Sequence, residues 1–245
     1  TKLQIINDTV FDIHETLPVP SSFLIDGNGF CRAIYKGVVG AEQILGDVRR
    51  LGLQGEVSRA ASLPFEGRWA APYRKIHYIP IAMRLAEAGY PDEAKSVVVR
   101  FQKMMMAHPD APRLLNTTGK AFEDGGRYAE ALEMYEAAVA IPTSPARSKA
   151  MLADLLATAP ADGLRDGRRA VEIAEAAARA TGYGDPEVLS ALAAAYGEDG
   201  FFLQAAKFAA DAEVLAVKNG LDAIAEEAGL RRRAFEAKRA FRRGE

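Results

Sequence analysis

The segment Gly119-Lys120-Ala121-Phe122-Glu123-Asp124-Gly125-Gly126-Arg127-Tyr128-Ala129-Glu130-Ala131-Leu132 sets a small residue, a bulky one, a glycine and another small residue at fixed distances. The spacing recurs. Around Gly89, Gly126 and Gly200, a large apolar residue stands four positions before (Leu85, Phe122, Tyr196) and a small one seven before (Ala82, Gly119, Ala193). Five positions after each glycine lie Ala94, Ala131 and Ala205, and twelve after lie Phe101, Ala138 and Ala212. One more copy, third in chain order and with a longer inner loop, runs from Met151-Leu152-Ala153-Asp154-Leu155-Leu156 through Gly167-Arg168-Arg169-Ala170-Val171 and supplies Ala170. The four alanines fall 37, 39 and 35 residues apart. A period in that range marks stacked helical hairpins. Antiparallel helices approach closely only where small side chains remove bulk, and large ones fill the groove that results. Glycine ends the first helix in a left-handed conformation, and Pro91 opens the next where its missing N–H costs nothing.

This pattern resembles the tetratricopeptide repeat (TPR). The resemblance implies a mainly α fold: a right-handed helical solenoid of about four helix–turn–helix units over residues 76–243, closed by a capping helix at 221–243. In that cap, Ala234, Phe235, the Lys238 stem and Phe241 are expected against the last repeat, with the arginines toward water. Two of Met104, Met105 and Met106 are expected in the core of the first unit.

Residues 1–75 follow a different grammar. Ser21–Asp26 and Phe30–Tyr35 read as two strands joined by Gly27-Asn28-Gly29, whose Asn-Gly favours a tight antiparallel hairpin. A helix at 40–51 follows, with Ile44, Leu45, Val48 and Leu51 on one face. Two strands cannot bury both of their faces. The exposed hairpin therefore needs a cover from that helix, from Phe65 and Trp69, or from a second copy of the chain in a homodimer. The string Pro20-Ser21-Ser22-Phe23-Leu24-Ile25-Asp26 resembles the second half of a thioredoxin-like (redoxin) domain, which would make Pro20 a cis proline and residues 1–60 a partial α/β segment. Residues 61–75 read as a linker, since Pro64 and Gly67 interrupt any periodicity. Cys31 is expected as a small buried hydrophobe in mid-strand. Redoxin half, linker and TPR units together are similar to large bacterial multidomain proteins that also carry FG-GAP and ASPIC/UnbV modules; that likeness would imply a bacterial source and a place outside the cytoplasm.

Composition narrows the function classes. With 31 Lys+Arg against 33 Asp+Glu the net charge is −2, so a globally basic nucleic-acid binder is excluded. The single cysteine excludes an internal disulfide framework, a CxxC pair and a Cys-rich zinc site. No apolar run approaches the ~20 residues of a membrane span, so a soluble chain without membrane insertion is expected. The opening Thr1-Lys2-Leu3 carries neither an initiator Met nor a leader, which reads as a processed chain or a piece of a longer one.

No catalytic constellation emerges. His14, His77 and His108 are scattered without ligands at i+3 or i+4, and Gly37-Val38-Val39-Gly40 lacks the frame of a phosphate loop. Glu123/Asp124 and Glu226/Glu227 read as exposed helix-end pairs. No cofactor and no metal are expected. What remains is the inner face of the solenoid, where Arg113, Asn116, Lys120 and Glu123 of the second unit, Met83 and Glu87 of the first, and Ser190 and Ala194 of the fourth line a mixed groove for a protein segment or a neighbouring domain. The expected function is a non-enzymatic interaction scaffold. Two alternatives stay open: a scaffold fragment of a thiol oxidoreductase or peroxidase whose catalytic Cys lies upstream of Thr1, and RNA or anionic-surface binding through Arg231–Arg243, where seven basic residues face one acidic.

Overall fold

From Tyr78 onward, helices follow the small-residue spacing. The structure, a computed structural model, describes residues 1–11, 16–27, 31–53, 57, 78–105 and 107–243, in two units, Thr1–His77 and Tyr78–Glu245. The turn residues 28–30, the linker at 61–75 with Phe65 and Trp69, His14, His77 and the Met104–Met106 side chains lie outside the described residues.

The first unit holds α1 (Lys2–Phe11), a helix the sequence reading does not anticipate, then β1 (Ser21–Ile25), β2 (Cys31–Lys36) and α2 (Ala41–Arg49). The strands pair antiparallel, with Phe23 opposite Ile34 and Leu24 opposite Ala33, and a bulge then sets Ile25 against Cys31. The Val19–Pro20 peptide is cis. Tyr35 is buried and its hydroxyl donates to Asp47 Oδ2 of α2 at 2.9 Å. Two expectations are corrected here. Cys31 is exposed, because it sits at the bulged end of a ribbon that covers little. Leu45 and Val48, read as part of the apolar face of α2, also remain exposed, at 55% and 41%.

The second unit is built from α3 (Tyr78–Glu87) and α4 (Pro91–Arg100), a single turn α5 (Gln102–Met105), α6 (Ala111–Asp124) and α7 (Tyr128–Val139), α8 (Ala146–Thr158) and α9 (Gly167–Ala180), then α10 (Pro186–Glu198), α11 (Phe202–Lys218) and α12 (Asp222–Glu236). Each first helix (α3, α6, α8, α10) packs on its own second helix, and each second helix also leans on the next first helix. That is the TPR-type stack. First helices additionally touch in succession. The contact is extensive between α8 and α10 and slight between α6 and α8.

Small residues sit at the crossings. Ala82, Ala94, Ala131, Ala170, Ala193 and Ala205 expose no surface. A Cβ on Gly119 would stand 2.5 Å from Tyr135 Cε1, so α6 and α7 approach along a line only glycine leaves open. Gly89, Gly126 and Gly200 take φ of +81°, +73° and +86°, the left-handed terminus expected of them. The third unit replaces that glycine with a loop containing a 3₁₀ turn, Asp162–Leu164, after which the Asp166 carboxylate caps α9 by accepting from Arg169 N at 2.9 Å.

The capping helix is shorter than the sequence implies. It ends at Glu236, where Lys238 takes a φ of 56° and reverses the chain, so residues 239–243 return across the repeats without helix or strand. Phe235 is buried, as expected of a cap, but Arg231 also points inward at 2% exposure instead of toward water. Carboxylates on the first helices, described below, are the reason.

On the opposite side, Tyr196 donates to Glu175 Oε1 at 2.6 Å. That bond, and Arg179 after it, holds the Glu175 carboxyl below its usual range, and the same bond with burial pushes the Tyr196 phenol up to about 12. A depressed carboxylate contributes stability that is complete above its unfolded pKa and is lost as pH falls through the folded value. Tyr196→Phe should therefore lower the melting temperature at neutral pH, with the difference from the parent shrinking below about pH 4; thermal melts across pH would read this.

Candidate functional site

The first helices share one face, and two clefts open on it. The larger, of about 750 Å³, is lined by Glu87 at the end of α3, by Arg113, Asn116 and Lys120 along α6, and by Arg147 and Met151 at the start of α8. Residues 113, 116 and 120 fall together because three- and four-residue steps return to the same helix face. Asn116 is buried at 7% exposure. Its Nδ2 donates across to Ser148 Oγ of α8 at 2.7 Å, while its Oδ1 has no hydrogen-bond partner. An unpaired buried acceptor is costly and rare in native proteins.

The smaller cleft, of about 220 Å³, adjoins the first through Lys120, Arg147 and Met151 and is lined by charges of both signs. Glu123 is buried here, not exposed as its helix-end position suggests. Its Oε2 accepts from Tyr135 Oη at 3.0 Å, and its Oε1 accepts from Lys120 Nζ at 3.0 Å and from Arg243. Burial, then the Asp154 and Asp124 charges, pushes the Tyr135 phenol far up, so it stays a donor. Asp154, in the middle of α8, receives Arg231 of α12 on both oxygens, and Arg243 as well on Oδ2. Arg231 also donates to the Ser190 carbonyl at 3.1 Å and to Glu227. Burial works against the Arg231 charge, but Asp154 and Glu227 outweigh it and hold the guanidinium above its ordinary value. Arg243 donates to Thr158 Oγ1 at 2.8 Å; burial pulls it down to about 10, which leaves it a cation at neutral pH.

The predicted groove residues thus divide. Glu87, Arg113, Asn116 and Lys120 gather on the larger cleft, and Glu123 and Ser190 on the smaller. Met83 is half-buried on α3 and Ala194 is buried within α10, and neither lines these two clefts. Sequence reasoning missed Asp154, Arg231 and Arg243 as members of this face. A signal was present: an aspartate inside the apolar run Met151-Leu152-Ala153-Asp154-Leu155-Leu156 has to find a buried cation.

Among the described residues, no group of three or more His, Cys, Asp or Glu is arranged to hold a metal ion, and no helix is long and apolar enough to cross a membrane.

No protein-family model matches the chain, and no curated protein matches it. Similar solved structures include MamA 41-end from Desulfovibrio magneticus RS-1, with a TM-score of 0.43, 17% identity, and coverage of 65% of this chain and 93% of that one. A Podosopora anserina putative kinesin light chain with nearly identical TPR-like repeats gives 0.41, 23%, 65% and 93%. The repeat architecture described above stands on this chain's own helix packing.

Proposed function

We propose that the chain is a non-enzymatic protein-interaction scaffold that takes an extended protein segment along the first-helix face. One observation carries the reading: Asn116, in the wall of the large cleft among Arg113, Lys120 and Arg147, keeps a buried Oδ1 with no hydrogen-bond partner. A peptide brings a backbone N–H at every residue, so a turn of the Asn116 amide toward the cleft would give this acceptor the donor it lacks. The arginines of the C-terminal segment support a protein partner over RNA, because Arg231, Arg242 and Arg243 are already matched to carboxylates.

A peptide-array screen tests this. Segments captured by the parent should bind the Asn116→Ala/Lys120→Ala variant about tenfold more weakly or worse, since a hydrogen bond and a charge are both removed. Circular dichroism would confirm that the variant remains helical. A variant that captures the same segments with the same affinity would end the reading.

A further inference from the structure

Residues 240–243 have no regular structure, yet they lie half-buried across three first helices. Among the described residues, their one backbone hydrogen bond to the repeats runs from Arg243 N to the Thr158 carbonyl at 3.1 Å. Side chains do the rest. Arg243 enters between Glu123 of α6 and Asp154 of α8. Arg242 forms an ion pair with Glu198 Oε2 of α10 at 2.6 Å, a charge contact without hydrogen-bond geometry. Phe241 lies with its ring 5.1 Å from the Arg231 guanidinium and packs beside Phe235.

Those carboxylates have other partners on their far sides. Tyr135 and Lys120 hold Glu123, Arg231 holds Asp154, and Arg165 Nε holds Glu198 at 3.0 Å. Each is thereby fixed with an oxygen directed at the tail. The three come from three separate repeats, so the seats are a property of the stack rather than of the tail. Guanidinium groups suit them better than ammonium groups, because a planar fork can bridge two carboxylates, as Arg243 does between Glu123 and Asp154.

We propose that this face is a receptor for an aromatic–Arg–Arg segment of a partner protein, and that the chain's own Phe241-Arg242-Arg243 occupies the receptor in cis. The inference rests on the reading of the first-helix face as a protein-binding surface, and it names the chemistry of the segment. A short tail tethered two residues past its helical turn competes at an effective concentration in the millimolar range. A partner segment therefore binds well only once the tail has left. Release requires only local opening, because it breaks no helix.

The test uses a labelled, amidated peptide of residues 238–243, Lys-Arg-Ala-Phe-Arg-Arg, in fluorescence anisotropy at physiological ionic strength. The full chain carrying Arg242→Ala/Arg243→Ala should bind it at least about tenfold more tightly than the parent. Adding Glu123→Gln and Glu198→Gln should abolish that binding, and a Lys-Lys version of the peptide should bind about tenfold more weakly. Equal affinity for parent and variant, no binding by the variant, or equal affinity for the Lys-Lys peptide would each overturn the proposal. If the alanine variant loses its helical signal, Arg242→Lys/Arg243→Lys keeps the charge and is held to the same rank order. Should arrayed segments still bind through Asn116 and Lys120 while this peptide fails, the receptor proposal falls alone. If neither binds, the interaction reading falls with it.

Discussion

Asp154→Ala is expected to destabilise the helical unit by about 3–5 kcal/mol, the cost typical of stranding one member of a buried ion pair. Arg231 is 2% exposed and reaches Asp154 with both terminal nitrogens. Glu227 and the Ser190 carbonyl remain after the substitution. Glu227 is itself exposed, however, and a carbonyl offers only a partial charge. The guanidinium therefore stays buried with too little negative charge beside it, and Arg243 loses one of its two carboxylates at the same time. Urea unfolding followed by circular dichroism would read the loss as a lower midpoint at unchanged slope. The mechanism makes a further demand. Replacing both partners, as Asp154→Leu/Arg231→Met, should recover part of the loss, because no guanidinium is then stranded at position 231, while Arg243 keeps Glu123 alone. A double variant as unstable as the single one would point to lost packing instead.

Phe235→Ala should cost a similar amount, about 3–5 kcal/mol. The ring is 1% exposed and closes a cluster of Ala193, Ala205 and Ala209, with Tyr196 and Phe241 against its border. It rests on Gly197, where an added Cβ would stand 2.8 Å from Phe235 Cδ1 and closer still to Cε1. Flat ring on bare backbone leaves no slack, so removing the ring opens a cavity that the alanines around it are too short to fill. The same contact predicts how two changes combine. Gly197→Ala alone should cost about 1–3 kcal/mol by overpacking. In the Phe235→Ala background its methyl enters vacated space and gains helix propensity, so it should stabilise. Unfolding midpoints of the four proteins measure that reversal of sign.

Much of the repeat was legible because it is local. Gly126 with Phe122 before it and Ala131 after it fixes a helix end, a ridge and a crossing within about three turns of chain, and stacking follows from repetition. Asn116 and Lys120 could be placed on the cleft by helical phase alone. The smaller cleft was not legible in this way. Glu123 reads as a helix-end acid until Tyr135 and Arg243 close over it, and Asp154 meets Arg231 across 77 residues of chain. Such pairs are set by how the cap folds back, which no periodicity records. The positive φ at Lys238 decides that path, and lysine carries none of glycine's signal for a left-handed turn. Cys31 failed for a related reason: strand position predicts burial only where something lies over the strand.

The slight contact between α6 and α8 has a thermodynamic meaning. In a linear array, cooperativity passes only through neighbouring interfaces, and here that interface is carried mainly by α7 against α8. Arg243 bridges that seam, with Glu123 on one bank and Asp154 and Thr158 on the other. Loosening of that arginine therefore weakens the coupling between the units on either side, so whatever displaces it also tunes how rigidly the stacked repeats hold their curvature.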